Sequence, residues 1–353
     1  MIVETMIERL AKTRYVKPVP YSSATGLTAD VYRQMHADFL PIPLLTLHSP
    51  APELLAGVWS ILREALLAGA VDRAQKEVVA AVVSKTNACP FCVDAHRLML
   101  HATSDYDAAD AIMRSDYDRI HDPQLHALAQ WALTKGTAST SGALPPPFSP
   151  DEAPAIIGTA IAFHYINRMV NVFLGDTLLP APSALRGVAE HVVGATLGKR
   201  MVRRLKPGSS LRLVPRAKLP DDLFWAAADP AVASAFAGFA AVVEQAGSAV
   251  LPEPVRALVG ARIQTWGGAA MGLSRRWVEE AVAEVADEHR AAARLALLTA
   301  LVSYQVDANV VADFRSRCPG EAQLIAATAW ASFTAARRAS VWFAEPFVLA
   351  GRE

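Results

Sequence analysis

Apolar residues recur along most of the chain at three- and four-residue spacing and do not alternate with polar ones over any sustained run. That period predicts helices over Ala51–Leu67, Arg73–Lys85, Glu152–Leu174, Glu253–Gln264, His289–Tyr304 and Glu321–Phe343. Alanine and leucine, the strongest helix formers, fill these stretches. Two of the starts are marked. Asp151-Glu152 puts negative charge at one helix N-terminus, and Pro319-Gly320-Glu321 opens another after a break. No Asn-Gly hairpin signal is present. The pattern predicts an all-α protein.

The same pattern repeats. Glu152, Ala153, Ile156, Thr159 and Ala160 align with Glu321, Ala322, Ile325, Thr328 and Ala329 at an offset of 169, and Arg168, Val172 and Phe173 align with Arg337, Val341 and Trp342. Earlier in each half, residues 85–89 lie opposite 264–268 at an offset of 179, so the second copy is ten residues shorter in its middle. Two stretches read as connectors. Gly136–Pro150, with three consecutive prolines, is a surface loop. Lys199–Lys218 carries eight Lys/Arg and no acid around Pro207-Gly208; it reads as a solvated interdomain linker, with a docking strip for an acidic partner as the alternative. The organisation predicted is a first unit over 1–178, a basic Pro/Gly-containing linker over 179–222 and a second copy over 223–353.

Composition narrows the class. With 353 residues, 52% of them hydrophobic and 19% charged, the chain is too apolar for disorder and long enough for two domains. Its longest uncharged helical runs, Ala153–Asn167 and Ala322–Ala336, fall short of the ~20 residues a bilayer requires, so no membrane segment is expected. Thirty-four basic residues balance thirty-four acidic ones, which leaves no global field for nucleic acid. The charged N-terminus, Met1-Ile-Val-Glu-Thr-Met-Ile-Glu-Arg-Leu, lacks a secretory pattern, and three cysteines do not make a disulfide scaffold. A cytoplasmic, reducing compartment follows, in which a cysteine pair is catalytic or metal-binding before it is structural.

Such a pair stands at Cys89-Pro90-Phe91-Cys92, with His96 four residues on and Glu77 twelve residues before Cys89. Pro90 disfavours helix at Cys89 and suits the first helical position, so Cys89 falls at a helix N-cap and Cys92 in the first turn. The helix dipole and its free N–H groups favour a thiolate there. Cys92 and His96, at i and i+4, share a face, so the imidazole can exchange the thiol proton. A carboxylate from Glu77 on the preceding helix would fix the imidazole tautomer. Position at the N-cap favours Cys89 as the nucleophile, whereas the histidine favours Cys92, and the spacing leaves that order open.

Glu77, eleven residues, Cys89-x-x-Cys92, three residues and His96 resemble the active-site pattern of the alkylhydroperoxidase D family, within the all-helical carboxymuconolactone decarboxylase-like superfamily. Ser84 and Asn87 are similar to the usual context of the motif, and Phe163-His164-Tyr165-Ile166-Asn167-Arg168 to a downstream helix of longer members. The resemblance covers roughly 40–178. It implies a tandem duplication of a multihelical bundle and a peroxiredoxin-type dithiol peroxidase of antioxidant character. In that reading Cys92 is the peroxidatic thiolate, Cys89 resolves the sulfenic acid to a disulfide, and His96 with Glu77 relays protons. It also implies a small hydroperoxide as substrate, no bound cofactor, and an external dithiol reductant, either a lipoyl group or a thioredoxin-like protein. No G-x-G-x-x-G loop for a nucleotide cofactor is visible. Because one chain would span what is otherwise a subunit interface, a monomer or homodimer is expected.

The second copy lacks the motif: Arg256, Gly268, Met271 and Arg275 stand opposite Glu77, Cys89, Cys92 and His96. Its expected role is structural, with a ligand pocket lined by Trp266, Met271 and Trp277 as the alternative. Other uses of the dithiol are protein-disulfide exchange or redox sensing. Decarboxylation of a muconolactone needs no cysteine pair, so the pair argues against it. Zinc would call for a second ligand pair, and Cys318 stands alone. A glutaredoxin-type site would need a preceding strand, and haem attachment a histidine where Val93 stands. His164 reads as a core histidine, and Asn167 and Arg168 as residues that tie helices together.

Overall fold

The computed structural model describes residues 12–135, 144–178, 202–269 and 271–350. Most of the Gly136–Pro150 connector, the first part of the basic linker and the charged N-terminus therefore lie outside the described residues. Among the described residues there is no strand, only helices, turns and one isolated parallel bridge between Ala68 and Leu205. None of these helices is long and apolar enough to cross a membrane.

The first half contains α1 (Gly26–Asp38), α2 (Pro52–Leu62), α3 (Arg73–Thr86), α4 (Pro90–Ala102), α5 (Tyr106–Arg114), α6 (Pro123–Lys135) and α7 (Ala153–Phe173). The second contains α8 (Pro230–Val250), α9 (Glu253–Thr265), α10 (Arg276–Val282), α11 (Asp287–Val302), α12 (Ala308–Arg315) and α13 (Glu321–Ala350). Packing follows the repeat. In the first half α2 and α3 pack on α7, and α3 also packs on α6; in the second, α8 and α9 pack on α13, and α9 on α11. The two copies then meet through equivalent helices, α7 against α13 and α2 against α8. This like-with-like pairing is the pattern of an isologous dimer, made here within one chain. It buries α7 on nearly every side, and one continuous apolar cluster runs through both halves.

The halves are also held by polar ties. Arg168 on α7 donates from Nε to Ala300 O on α11 at 2.8 Å, and Asn171 donates to Ser303 Oγ at 3.0 Å. Arg168 thus has the helix-tying role expected of it, as has Asn167, which donates to Ser84 Oγ on α3 at 3.0 Å; Asn171 was not singled out from sequence. The basic segment behaves differently from a solvated linker over its described part, 202–222. α2 continues into a wide π-type turn, Arg63–Leu67, whose Arg63 and Glu64 are buried. Glu64 accepts from Gly208 N at 2.7 Å and Ser210 Oγ at 2.6 Å, while Arg63 pairs with Asp38 at 2.7 Å. A buried carboxylate must be paired: Glu64 has its counter-charge in Arg63, Nη1 to Oε1 at 2.7 Å, and its further hydrogen bonds come from the connecting segment, which is thereby fastened to the first half.

The contact between α2 and α8 is tight enough to test. A Cβ at Gly57 would sit 2.5 Å from the ring of Phe239, which is itself fully buried. Gly57→Ala should therefore cost about 1–3 kcal/mol through overpacking, read as a lower urea midpoint. Because the core is continuous, the variant should still unfold in one transition by fluorescence and circular dichroism.

Candidate active site

The site is built on the hairpin of α3 and α4. Asp72 caps α3 by accepting from Ala74 N at 2.8 Å, and the helix ends in a pair of tight hydrogen bonds. Ala88 N–H donates to Lys85 O at 3.0 Å and Cys89 N–H donates to Ser84 O at 2.9 Å. This closure needs a left-handed residue after the cap, normally glycine; here it is Ala88, at φ 49. Cys89 is the N-cap of α4, Pro90 its first residue and Cys92 lies in its first turn, as expected. Strain at Ala88 thus sits beside the dithiol, and Ala88→Gly should stabilise the protein by about 1 kcal/mol, measured as a raised denaturation midpoint.

Glu77, Cys89, Cys92 and His96 come together in the buried interior. The two sulfurs are 2.7 Å apart, and both thiols are free. His96 Nδ1 lies 2.6 Å from Glu77 Oε2, while Arg73 Nε donates to Glu77 Oε1 at 2.6 Å. With a carboxylate as acceptor, the histidine proton sits on Nδ1. Its Nε2 is then a lone-pair acceptor, buried and without a partner among the described residues. The imidazole edge packs against Phe163 of α7, with centroids 4.3 Å apart, which fixes the ring plane.

Burial alone pushes the Glu77 carboxyl up, but Arg73 and His96 together overcome this and hold it below the usual carboxylate range. At Cys89 the helix-dipole expectation meets an opposing effect that wins. Burial pushes the Cys89 thiol well above its ordinary value, and the neighbouring Cys92 sulfur adds to this, against weaker opposing hydrogen bonds from the Cys92 backbone N–H and from Asn167. Asn167 belongs to a directional network: Asn87 Nδ2 donates to Asn167 Oδ1 at 3.0 Å, and Asn167 Nδ2 donates to Ser84 Oγ at 3.0 Å. Cys89, although buried, lies at the wall of a pocket of about 550 Å³ whose rim includes Arg14, Lys85, Asp94 and Tyr304.

Arg73 and Phe163 were not among the candidates from sequence. Arg73 had a legible signal, the i, i+4 spacing to Glu77; Phe163, one apolar residue among many on α7, had none. His164 is buried in the core, with Nδ1 against Asn87 Nδ2 at 3.2 Å. Cys318 is a free, half-buried thiol remote in sequence. In the second half the counterpart of the α4 N-terminus is an irregular segment, and α10 begins only at Arg276. Arg256 there is tied to Leu251 O and Glu244, and Arg275 to Asp307, so the positions opposite Glu77 and His96 serve surface pairs.

Residues 52–134, which include this hairpin, match the model of the carboxymuconolactone decarboxylase family. The chain is 40% identical over 330 residues, 93% of its own length and 94% of the relative's, to alkyl hydroperoxide reductase Rv2159c of Mycobacterium tuberculosis. The chain belongs to the alkylhydroperoxidase D-like, carboxymuconolactone decarboxylase-like family. No solved structure matches it.

Glu77 gives a pH test. Its native pKa lies below its unfolded value near 4.5, so its contribution to stability is present above that value and is lost as pH falls through the native one. Glu77→Gln would leave Arg73 and His96 without their carboxylate. It should cost about 3–5 kcal/mol at pH 7, and the gap to wild type in urea unfolding should shrink as the pH is lowered below 4.5.

Proposed function

We propose that the protein is a dithiol hydroperoxide reductase working through Cys92 and Cys89, with His96 and Glu77 as its proton relay. The observation that carries the reading is the unpartnered Nε2 of His96, one helical turn from Cys92 and held in the accepting tautomer by Glu77. His96 takes the Cys92 proton through Nε2. The thiolate attacks the terminal peroxide oxygen, the O–O bond breaks, and the departing alkoxide receives the proton from His96 and leaves as an alcohol. Cys92 is left as a sulfenic acid.

Cys89, held as a neutral thiol by burial, is suited to resolve that intermediate. Its sulfur displaces hydroxide from Cys92, which takes up the thiol proton and leaves as water, and a disulfide forms between atoms already 2.7 Å apart. An external dithiol, lipoyl or thioredoxin-like, then supplies two electrons and two protons to restore the pair. The alkyl hydroperoxide reductase activity named for the mycobacterial relative supports the same reading.

Hydroperoxide consumption with reduced lipoamide as donor tests it. Turnover should vanish in Cys92→Ser. In Cys89→Ser one equivalent of peroxide should be consumed without recycling, and Glu77→Gln should lose about 10²–10⁴-fold in rate, the range for a disabled acid–base group. Thiols that oxidise to the Cys89–Cys92 disulfide without peroxide turnover would mark disulfide exchange or sensing instead; thiols inert to peroxide would end the catalytic reading.

A further inference from the structure

A second, smaller cavity of about 120 Å³ opens between the two halves on the other side of the Asn87–Ala88 turn. Its walls include His164 and Arg168 from α7 and Trp266 from the second half, and Ala88 and Tyr304 line both this cavity and the one beside Cys89. Arg168 is the unusual group. It is buried, and among the described residues no Asp or Glu is paired with it. Its Nε and Nη1 donate to Ala300 O and His164 O, at 2.8 and 2.6 Å, and Nη1 also reaches Asn87 Oδ1 at 3.4 Å; Nη2 has no acceptor among the described residues. Trp266 lies under the guanidinium, 5.6 Å from its carbon to the ring centroid.

The repeat supplies an internal control. Arg337 occupies the register of Arg168 on the paired helix α13, and it is forked onto Asp222 through Nε and Nη2. The arginine of the second copy thus has a carboxylate, supplied from the end of the connecting segment, and that of the first has none among the described residues. A buried cation without a counter-charge is costly, and a guanidinium edge is matched to a carboxylate. His164 helps hold these groups in place: its Nδ1 accepts from the N–H groups of Asn87 and Arg168.

We propose that this cavity is a carboxylate site, in which a bound acid meets Arg168 as Asp222 meets Arg337, and that its occupant is the acid group of an organic hydroperoxide. The volume equals roughly four waters, enough for a carboxylate and the first carbons of its chain. The rest of the molecule passes Ala88 and Tyr304 into the larger pocket, where the peroxide end meets the dithiol. Substrate binding thereby acquires residues from both halves, and the second copy, which lacks thiols, completes the site through Trp266. What the site is for rests on the peroxidase reading; whether it binds a carboxylate does not.

Calorimetric titration of the full chain with hexanoate, hexanamide and inorganic phosphate separates the two. Hexanoate should bind with a stoichiometry of one, at least about tenfold more tightly than hexanamide, a difference of ~1.4 kcal/mol, and phosphate should not compete. Arg168→Gln should abolish the preference for the acid; Trp266→Leu, which leaves the Arg168 hydrogen bonds in place, should weaken hexanoate severalfold and serves if the first variant does not fold. In turnover, a carboxylate-bearing hydroperoxide should show a lower KM than its methyl ester, and Arg168→Gln should erase that advantage. Equal binding of acid and amide, phosphate binding as tight as hexanoate, or hexanoate binding unchanged in Arg168→Gln would overturn the proposal. Hexanoate binding without any peroxide turnover would leave the site standing and remove the peroxidase reading; turnover without hexanoate binding would do the reverse.

Discussion

Burying the Glu77 carboxylate is the constraint around which the first half is organised. A carboxylate with no solvent access needs two good partners, and they come from different places: Arg73 one turn earlier on α3, and His96 on α4. Meeting both demands fixes how α3 and α4 lie against each other, and hence where the turn between them puts Cys89 and Cys92. The tautomer of His96 is a consequence of the same pairing. One carboxylate thus ties Arg73 and His96 across the hairpin and leaves Nε2 as the accepting nitrogen of the imidazole.

The duplicated architecture separates scaffold from site. Both copies keep the helices that make the shared core, and α7 and α13 meet as equivalent partners across it. Only the first keeps the dithiol hairpin; in the second, the segment opposite the start of α4 has lost its helix, and its arginines at 256 and 275 serve surface pairs. What the second half returns is closure. Ala300, Ser303 and Trp266 reach Arg168 and Asn171 behind the active-site turn, a place that a single copy would leave open to solvent or to another chain.

The fold was legible wherever apolar residues held a 3.6-residue period. The expected helices at 73–85, 253–264 and 321–343 lie within observed ones, and the others agree to within a turn. α8, Pro230–Val250, carried no such contrast, because its alanines, valines and phenylalanines occupy nearly every face. At the site, the cysteine spacing and the i, i+4 histidine predicted where Cys89, Cys92 and His96 fall on α4, and Glu77 lies, as expected, on the preceding helix as a partner for the imidazole. Two features stayed hidden for physical reasons. Nothing about an alanine signals a left-handed backbone, so Ala88 gave no warning of the closure it makes. The basic run before Lys218 read as solvated by its charge, yet it is the backbone at Gly208 and Ser210 that is held, by a glutamate more than 140 positions earlier. At Cys89, dipole and burial point in opposite directions, and only the depth of burial decides between them.

The proposed exchange of two electrons between the buried Cys89–Cys92 pair and a hydroperoxide is tested most directly by a single-turnover reaction of the reduced protein with substoichiometric alkyl hydroperoxide, followed by thiol titration and peptide mapping. The account predicts one alcohol released and two thiols lost per peroxide, with all of the loss in a Cys89–Cys92 disulfide and Cys318 still reduced. Oxidation confined to Cys318, or thiols at 89 and 92 that survive the peroxide unchanged, would contradict it.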